Sequence, residues 1–413
     1  MQSGSGKRSV SVINAAVIVA SLGYFVDIYD LLLFTIVRVP SLRELGVPQD
    51  EIDNGIGLLL ISVQMAGLLA GGIFWGVLGD KRGRLSVLFG SILLYSLANI
   101  ANGFVHSTNA YLVWRFVAGL GLAGELGAGI TLVAELLPKE KRGYGTMIVA
   151  TVGVSGAIAA NLIAKLVQDW RICYFIGGGL GLLLLFLRIS VIESGMFHTV
   201  KQSTVARGSF FALFNKKERF IRYVKCLFLG APTWYVVGIL VAFSNKFAAE
   251  LKVNGSINPG DAIAFCYAGL TLGDLTSGLI SQLWKSRRKV MLLFLLMSVV
   301  FVFVYFQLSG AETWLFYTVC FALGFGAGFW AIFVTIAAES FGTNLRATVA
   351  ITVPNFARGM LPLISMLFVA LQSHFSYLAS GAIVGAITLL IGLVAAWKIE
   401  ETFGKDLDYV ETI

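Results

Sequence analysis

Two stretches of the 413-residue chain, GLAGELGAGITLVAELLPKEKRGYG from Gly121 and FGAGFWAIFVTIAAESFGTNLRATV from Phe325, align without a gap at an offset of 204 residues. The register pairs Gly124 with Gly328, Thr131 with Thr335, Glu135 with Glu339 and Arg142 with Arg346. Small residues at matched places could reflect helix packing alone, but packing asks for no matched acid and base. The chain therefore reads as a duplication. Two halves related by an axis along the membrane normal are an architecture of secondary transporters, with the substrate site at mid-depth between them.

The composition around both stretches fits a membrane protein. Hydrophobic residues make up 57% of the chain, about 235 residues, close to the roughly 240 that twelve spans of about 20 require. Charged residues are 13%, half the share of a soluble domain, which also excludes disorder and coiled coil. Apolar runs separated by short polar turns predict spans near 12 to 36, 54 to 78, 85 to 104, 110 to 137, 144 to 167, 171 to 192, 221 to 249, 260 to 284, 290 to 308, 313 to 340, 347 to 372 and 375 to 397. Backbone groups in hydrocarbon must be satisfied within the segment, and runs of this length suit helices rather than barrel strands. The expected fold is all-α, twelve transmembrane helices in two pseudo-symmetric six-helix bundles.

The formal net charge of +8 would suggest nucleic acid in a soluble protein. Here about 23 of the 31 Lys and Arg fall on one predicted side, a topology signal. Basic clusters follow span 2 (Lys81, Arg82, Arg84), span 4 (Lys139, Lys141, Arg142) and span 8 (Lys285, Arg287, Arg288, Lys289). Both termini are then expected in the cytoplasm, with a tail at 1–11, bundles at 12–192 and 221–397, a linker at 193–220 and a second tail at 398–413. No small-residue cleavage site follows the basic start, so no removable signal peptide is expected. The four cysteines sit in apolar stretches without C-x-x-C spacing and read as buried free thiols. The three histidines are scattered, leaving no metal cluster. No nucleophile and base pair or phosphate loop points to an enzyme.

GVLGDKRGR, Gly76 to Arg84, matches the G-x-x-x-D-[RK]-x-G-[RK] signature between helices 2 and 3 of the major facilitator superfamily. RFVAGLGLAGE, from Arg115, resembles the R-x-x-x-G-x-G-x-x-G pattern of helix 4 in its proton-coupled members, and GYFVDIYDLLLF resembles helix 1 of the metabolite:proton and phosphate:proton symporters. By that resemblance Asp80, Arg82, Arg84, Glu135, Arg142, Glu339 and Arg346 form a cytoplasmic charge network that holds the halves together in the outward-open state. The corresponding loop of the second half, GLISQLWKSRRK, has Gln282 in place of the carboxylate, which departs from the pattern. The alternative is that these cations only orient the chain.

Ionisable groups inside hydrocarbon cost at least about 2.5 kcal/mol each and are functional candidates by default. Asp27 and Asp30, three residues apart, share a helix face; with Glu125 they are the candidates for proton coupling. A structural brace between either aspartate and Arg115 is the alternative, as is a hydrogen bond from Glu125 to neighbouring backbone. In the second half Arg358 lies between Pro354 and Pro362, and Pro362 removes the hydrogen bond to the Arg358 carbonyl. Arg358 is thus a candidate anion-binding group, unless it merely pairs with Asp274. Arg115, Tyr24, Trp234, Tyr235 and Asn355 complete the expected substrate site. Lys246 could line an outer cavity, while Trp234 and Tyr235 could instead be packing or interfacial anchors. The expected function is proton-coupled symport of a small anionic metabolite, a carboxylate or phosphate compound, across a bacterial-type inner membrane by a monomer that uses protons and no other cofactor. A carrier of neutral sugar, organic cation or zwitterion, an efflux pump, and a non-transporting sensor are the alternatives.

Overall fold

The computed structural model describes residues 11–188 and 207–412. Twelve helical spans cross it: α1 (Ala15–Glu44), α2 (Ile56–Arg82), α3 (Arg84–Gly103), α4 (Thr108–Leu136), α5 (Lys139–Val167), α6 (Trp170–Leu187), α7 (Lys217–Val241), α8 (Pro259–Leu283), α9 (Arg287–Phe306), α10 (Thr313–Glu339), α11 (Arg346–Leu371) and α12 (Tyr377–Lys398). The first tail and most of the expected linker lie outside the described residues. Beyond the linker, Phe210–Leu213 is a single 3-10 turn and α7 begins at Lys217, before the apolar run itself. Basic first turns of α5 and α7 remain helical because water can solvate their side chains while the backbone hydrogen bonds continue into the span.

Side chains fix several helix starts. Asn14 Oδ1 accepts from Val17 N–H, Ser107 Oγ from Ala110 N–H, Asp169 Oδ1 from Arg171 N–H, Asn258 Oδ1 from Gly260 N–H, Ser286 Oγ from Lys289 N–H and Ser376 Oγ from Ala379 N–H, at 2.8–3.3 Å. Each satisfies one of the amides that a helix leaves open at its start. Large apolar side chains at the perimeter stay uncovered, such as Phe186 (72% exposed) and Leu283 (76%). An apolar perimeter of this kind is a lipid-facing surface.

The halves repeat each other in packing as well as in sequence. α2 lies along α4 and α8 along α10, while α2 meets α11 and α8 meets α5 across the interface. The matched stretches break within one residue of each other in the 204 register: α4 is interrupted at Ala123 and Gly124, α10 at Gly328 and Phe329. The paired threonines make the same bond, Thr131 Oγ1 to the Gly127 carbonyl and Thr335 Oγ1 to the Ala331 carbonyl, each at 2.7 Å. α11 is interrupted at Met360, before Pro362. All four cysteines are buried and free.

Gly127 of α4 lies directly against the backbone of the opposite half. A Cβ there would lie 2.4 Å from the Ala350 carbonyl oxygen and 2.5 Å from Ile351 Cα of α11. Gly127→Leu should therefore destabilise the assembled bundle, by about 1–3 kcal/mol or more as for other overpacked sites, seen as a lower melting temperature in detergent. Gly179→Leu, at a lipid-facing glycine with nothing within 4 Å, should leave the melting temperature unchanged or raise it.

Candidate functional site

Two charge clusters close the face of the bundle that carries the α2–α3 and α8–α9 turns. In the first, Asp80 at the end of α2 points at the start of α11. Its Oδ1 accepts from Ala347 N–H at 3.0 Å, and Oδ2 accepts from Thr348 N–H at 2.9 Å and Thr348 Oγ1 at 2.7 Å. A carboxylate is favoured at a helix start by open amides and the helix dipole, so an acid of one half caps a helix of the other. Arg84 lies 3.7 Å from Asp80 and donates to Glu135 Oε1 at 2.8 Å, the Thr343 carbonyl at 3.1 Å and the Gly79 carbonyl at 3.0 Å. The same Glu135 oxygen accepts from Arg346 Nη1 at 2.8 Å.

The second cluster is the symmetric copy. Glu339 receives Arg287 at 3.4 Å, Arg142 at 3.9 Å and Thr402 Oγ1 at 2.8 Å. Gln282 stands where Asp80 stands in the first cluster. With its amide turned to satisfy its neighbours, its oxygen accepts from Gly143 N–H at 3.1 Å, Tyr144 N–H at 3.3 Å and Arg287 Nη1 at 3.2 Å. Gly143 and Tyr144 are the residues that the 204 offset matches to Ala347 and Thr348. The departure from the carboxylate thus keeps the cap and removes its charge. Glycine at 143 admits the Gln282 side chain, which would collide with any Cβ there. Arg82 is the exception among the expected network residues: its side chain is exposed and makes no polar contact among the described residues. It lies on the outer side of the last turn of α2, where solvation costs nothing.

The segment after α12 joins both clusters, which the sequence did not reveal. It runs without regular structure across the closed face. Thr402 reaches Glu339, the Lys405 carbonyl accepts from Arg142 at 3.3 Å, Asp406 pairs with Lys139 at 3.1 Å, and the Leu407 carbonyl accepts from Arg346 and from Thr343 Oγ1. Glu411 then pairs with Arg222 at 2.9 Å and Arg219 at 3.5 Å. Glu401 is anchored against the start of α9, accepting from Ser286 Oγ and from the N–H groups of Arg287 at 2.9 Å and Arg288 at 3.3 Å. Burial raises its pKa, but hydrogen bonds from Ser286 and the amides of Phe403, Arg287 and Arg288 outweigh this and hold it below the usual carboxylate range. This contribution is therefore present at neutral pH and is lost only as pH falls through that depressed value.

A small cavity lies at mid-depth between the halves, with room for little more than one water molecule at about 20 Å³. Tyr24 and Ile28 of α1 face Trp234 of α7, Tyr267 of α8, Trp330 of α10 and Arg358 of α11 there. The Arg358 guanidinium carbon is 5.9 Å from the Trp330 ring centre, and Nη1 donates weakly to Asn355 Oδ1 at 3.4 Å. Asn355 in turn donates to the Ala123 carbonyl at 2.8 Å, at the break in α4 of the opposite half. Asp27 is fully buried next to this group, and its oxygens have no hydrogen-bond donor among the described residues. The charges acting on it most are Arg358 and then Glu125.

Several expected site residues lie elsewhere. Asp274 does not pair with Arg358: its Oδ1 accepts from Ala331 N–H at 3.0 Å, holding the second segment of α10 after its break. Tyr235 turns away to donate to the Gly381 carbonyl at 2.9 Å in α12. Lys246 is exposed over the Phe243 ring. Arg115 is outside the cavity, bonded to Gln64 and stacked 4.8 Å from Phe34, so no ion pair braces it to Asp27 or Asp30. Glu125 is held by Arg188 at the end of α6, with Ser91 Oγ at 3.4 Å. Asp30 sits deeper in the first bundle, where Asp27, Arg115 and Asn99 act on it. Arg188 was missed because it closes an apolar span and reads as one more flanking cation.

The family model of the Major Facilitator Superfamily matches residues 17–359. The chain belongs to that superfamily. It is a multi-pass membrane transporter with twelve spans, not an enzyme. A Haemophilus influenzae relative that bears the provisional name metabolite transport protein is 26% identical over 95% of this chain and 97% of its own length. A Bacillus subtilis relative, provisionally named a niacin/nicotinamide transporter, is 26% identical over 82% of this chain and 84% of its own. In structure, the proton:xylose symporter XylE superposes with a TM-score of 0.72 at 16% identity, covering 95% and 97% of the two chains, which places the major facilitator fold across nearly the whole transporter.

Removing Glu135 would leave Arg84 and Arg346 buried without their shared acid, a change that costs about 3–5 kcal/mol in comparable pairs. In a chain carrying Ile351→Cys, with its native cysteines replaced by alanine, Glu135→Gln should raise labelling by a polar thiol reagent from the closed face. Arg82→Gln should leave labelling unchanged.

Proposed function

We propose that this transporter carries a small anionic metabolite, a carboxylate or phosphate compound, in symport with protons. The observation that supports it most is Arg358 lining the cavity between the halves, with the buried and unpartnered Asp27 one turn from cavity-lining Tyr24 on α1. A guanidinium offers a planar fork that suits carboxylate and phosphate. An ionised Asp27 beside it competes with an incoming anion for the same field, whereas a protonated Asp27 leaves the guanidinium free to take the anion. Cargo and proton then bind together and leave together. Asp30 lies one turn further along α1 and is buried on the same helix face as Asp27. Glu125, neutralised by Arg188, belongs in this reading to the framework that sets the field around Asp27.

Tyr24, Trp234, Tyr267 and Trp330 provide rings around the guanidinium, so a cargo with a flat, partly apolar body fits better than bare phosphate. The niacin/nicotinamide name of the Bacillus subtilis relative agrees with such a cargo. The Asp80 and Gln282 caps act as the latch of the cytoplasmic face, and the bundles at 12–192 and 221–397 rock about the central site. The basic face lies in the cytoplasm of a bacterial-type inner membrane, by the excess of cations on it. The transporter works as a monomer with protons as its coupling ion.

Reconstituted vesicles with an imposed pH gradient, offered a panel of acids, phosphates, sugars and bases, test this directly. Asp27→Asn should abolish accumulation driven by the gradient while sparing substrate exchange, which moves no net proton. Arg358→Lys should weaken binding of the anion, and Arg358→Ala should eliminate it. Accumulation that survives Asp27→Asn overturns the coupling role, and normal binding in Arg358→Ala points to a neutral or cationic cargo.

A further inference from the structure

Away from the interface between the halves, a groove of about 460 Å³ opens on the lipid-facing side between the first turns of α7 and the last turns of α12. Its walls are apolar, with Val224 and Phe228 on α7 facing Ile391 and Val394 on α12. The stretches from Phe220 to Phe228 and from Leu390 to Lys398 each rise about 12 Å, close to the hydrocarbon depth of one leaflet. Two cations, Lys225 and Lys398, line the same groove. Lys225 Nζ donates to the Lys398 carbonyl at 2.9 Å, which sets both residues at the level where α12 ends. An ammonium has three donors, so Lys225 keeps two beyond this bond. The Lys398 side chain is exposed and has no ion pair among the described residues. Of the two acids that follow it, Glu401 is taken up by the start of α9, and exposed Glu400 lies beyond the helix end. Trp397 (67% exposed) and Phe220 (41%) flank the opening as rings at a membrane interface do.

We infer that this groove is a binding site for an anionic phospholipid, its headgroup phosphate held between Lys225 and Lys398 and one acyl chain laid along Val224, Phe228, Ile391 and Val394. Apolar walls alone would accept any lipid; the paired ammonium groups at headgroup depth select a net negative one. Long lysines can also reach the interface merely to be hydrated, and in that case headgroup charge would make no difference. The inference is independent of the cargo and of proton coupling, since neither lysine approaches the central cavity.

The test uses the full chain in nanodiscs of phosphatidylcholine doped with phosphatidylglycerol, with co-purified lipid counted by native mass spectrometry after transfer to detergent. The wild type should retain phosphatidylglycerol over phosphatidylcholine by roughly thirtyfold, the scale expected for a headgroup near two lysines at about 1 kcal/mol each. K225Q/K398Q should lose that preference, K225R/K398R should keep it, and Lys217→Gln, at an exposed cation outside the groove, should leave it intact. Val394→Trp, which fills the groove without altering charge, should reduce retention of phosphatidylglycerol. Equal retention of the two lipids by the wild type, an unchanged preference in K225Q/K398Q, a loss in Lys217→Gln as large as in the double variant, or undiminished retention in Val394→Trp would each overturn the site.

Discussion

A single oxygen of Glu135 accepts hydrogen bonds from Arg84 and Arg346, each at 2.8 Å, with all three side chains out of reach of solvent. Burying two guanidinium groups is costly, and the cost is recovered only while the acid and the carbonyl acceptors around it stay in place. Arg84 and Glu135 belong to the first half and Arg346 to the second, so this oxygen can hold both cations only when the halves are together. The close approaches of α4 and α2 to α11 follow from that proximity. Neither Asp80 on the start of α11 nor the segment after α12 could reach its partners if the halves stood apart on this face.

The same arrangement separates two kinds of buried charge. On the closed face every acid of the two clusters has a donor, and in each cluster some of the bonds cross between the halves. Around the cavity the acids are spread out: Glu125 pairs with Arg188, Asp274 accepts a backbone amide, and Asp27 has no hydrogen-bond donor among the described residues. The fully partnered charges and the sparsely partnered ones are therefore found in different layers of the bundle.

Much of the fold was legible because lipid imposes long apolar runs and because duplication leaves matched residues. The 204-residue offset paired Glu135 with Glu339 and Arg142 with Arg346. Side-chain direction was less legible. Trp234 and Tyr235 are neighbours in sequence, yet one faces the cavity and the other α12, a distinction set by the helical turn and the π-turn at Val236–Val241. Asp274 and Arg358 sit at similar depth, but the broken end of α10 offers Asp274 a nearer donor. Arg188 and the segment after α12 were hidden for a different reason. Flanking cations and polar tails look alike in sequence whether they are solvated or folded back.

Gln282 in place of a carboxylate also makes the two seams of the closed face unlike. The seam between α2 and α11 is held by a carboxyl cap beside Arg84, while the seam between α8 and α5 is held by an amide, and carboxylate bonds to such donors are roughly twice as strong as neutral ones. A door fastened unequally along its two edges swings on the stronger edge. Opening of this face would begin where α8 leaves α5 and pivot about the line where α2 meets α11. Parting of the two bundles on this face would then be a lopsided hinge, although the fold is built from two copies of one plan.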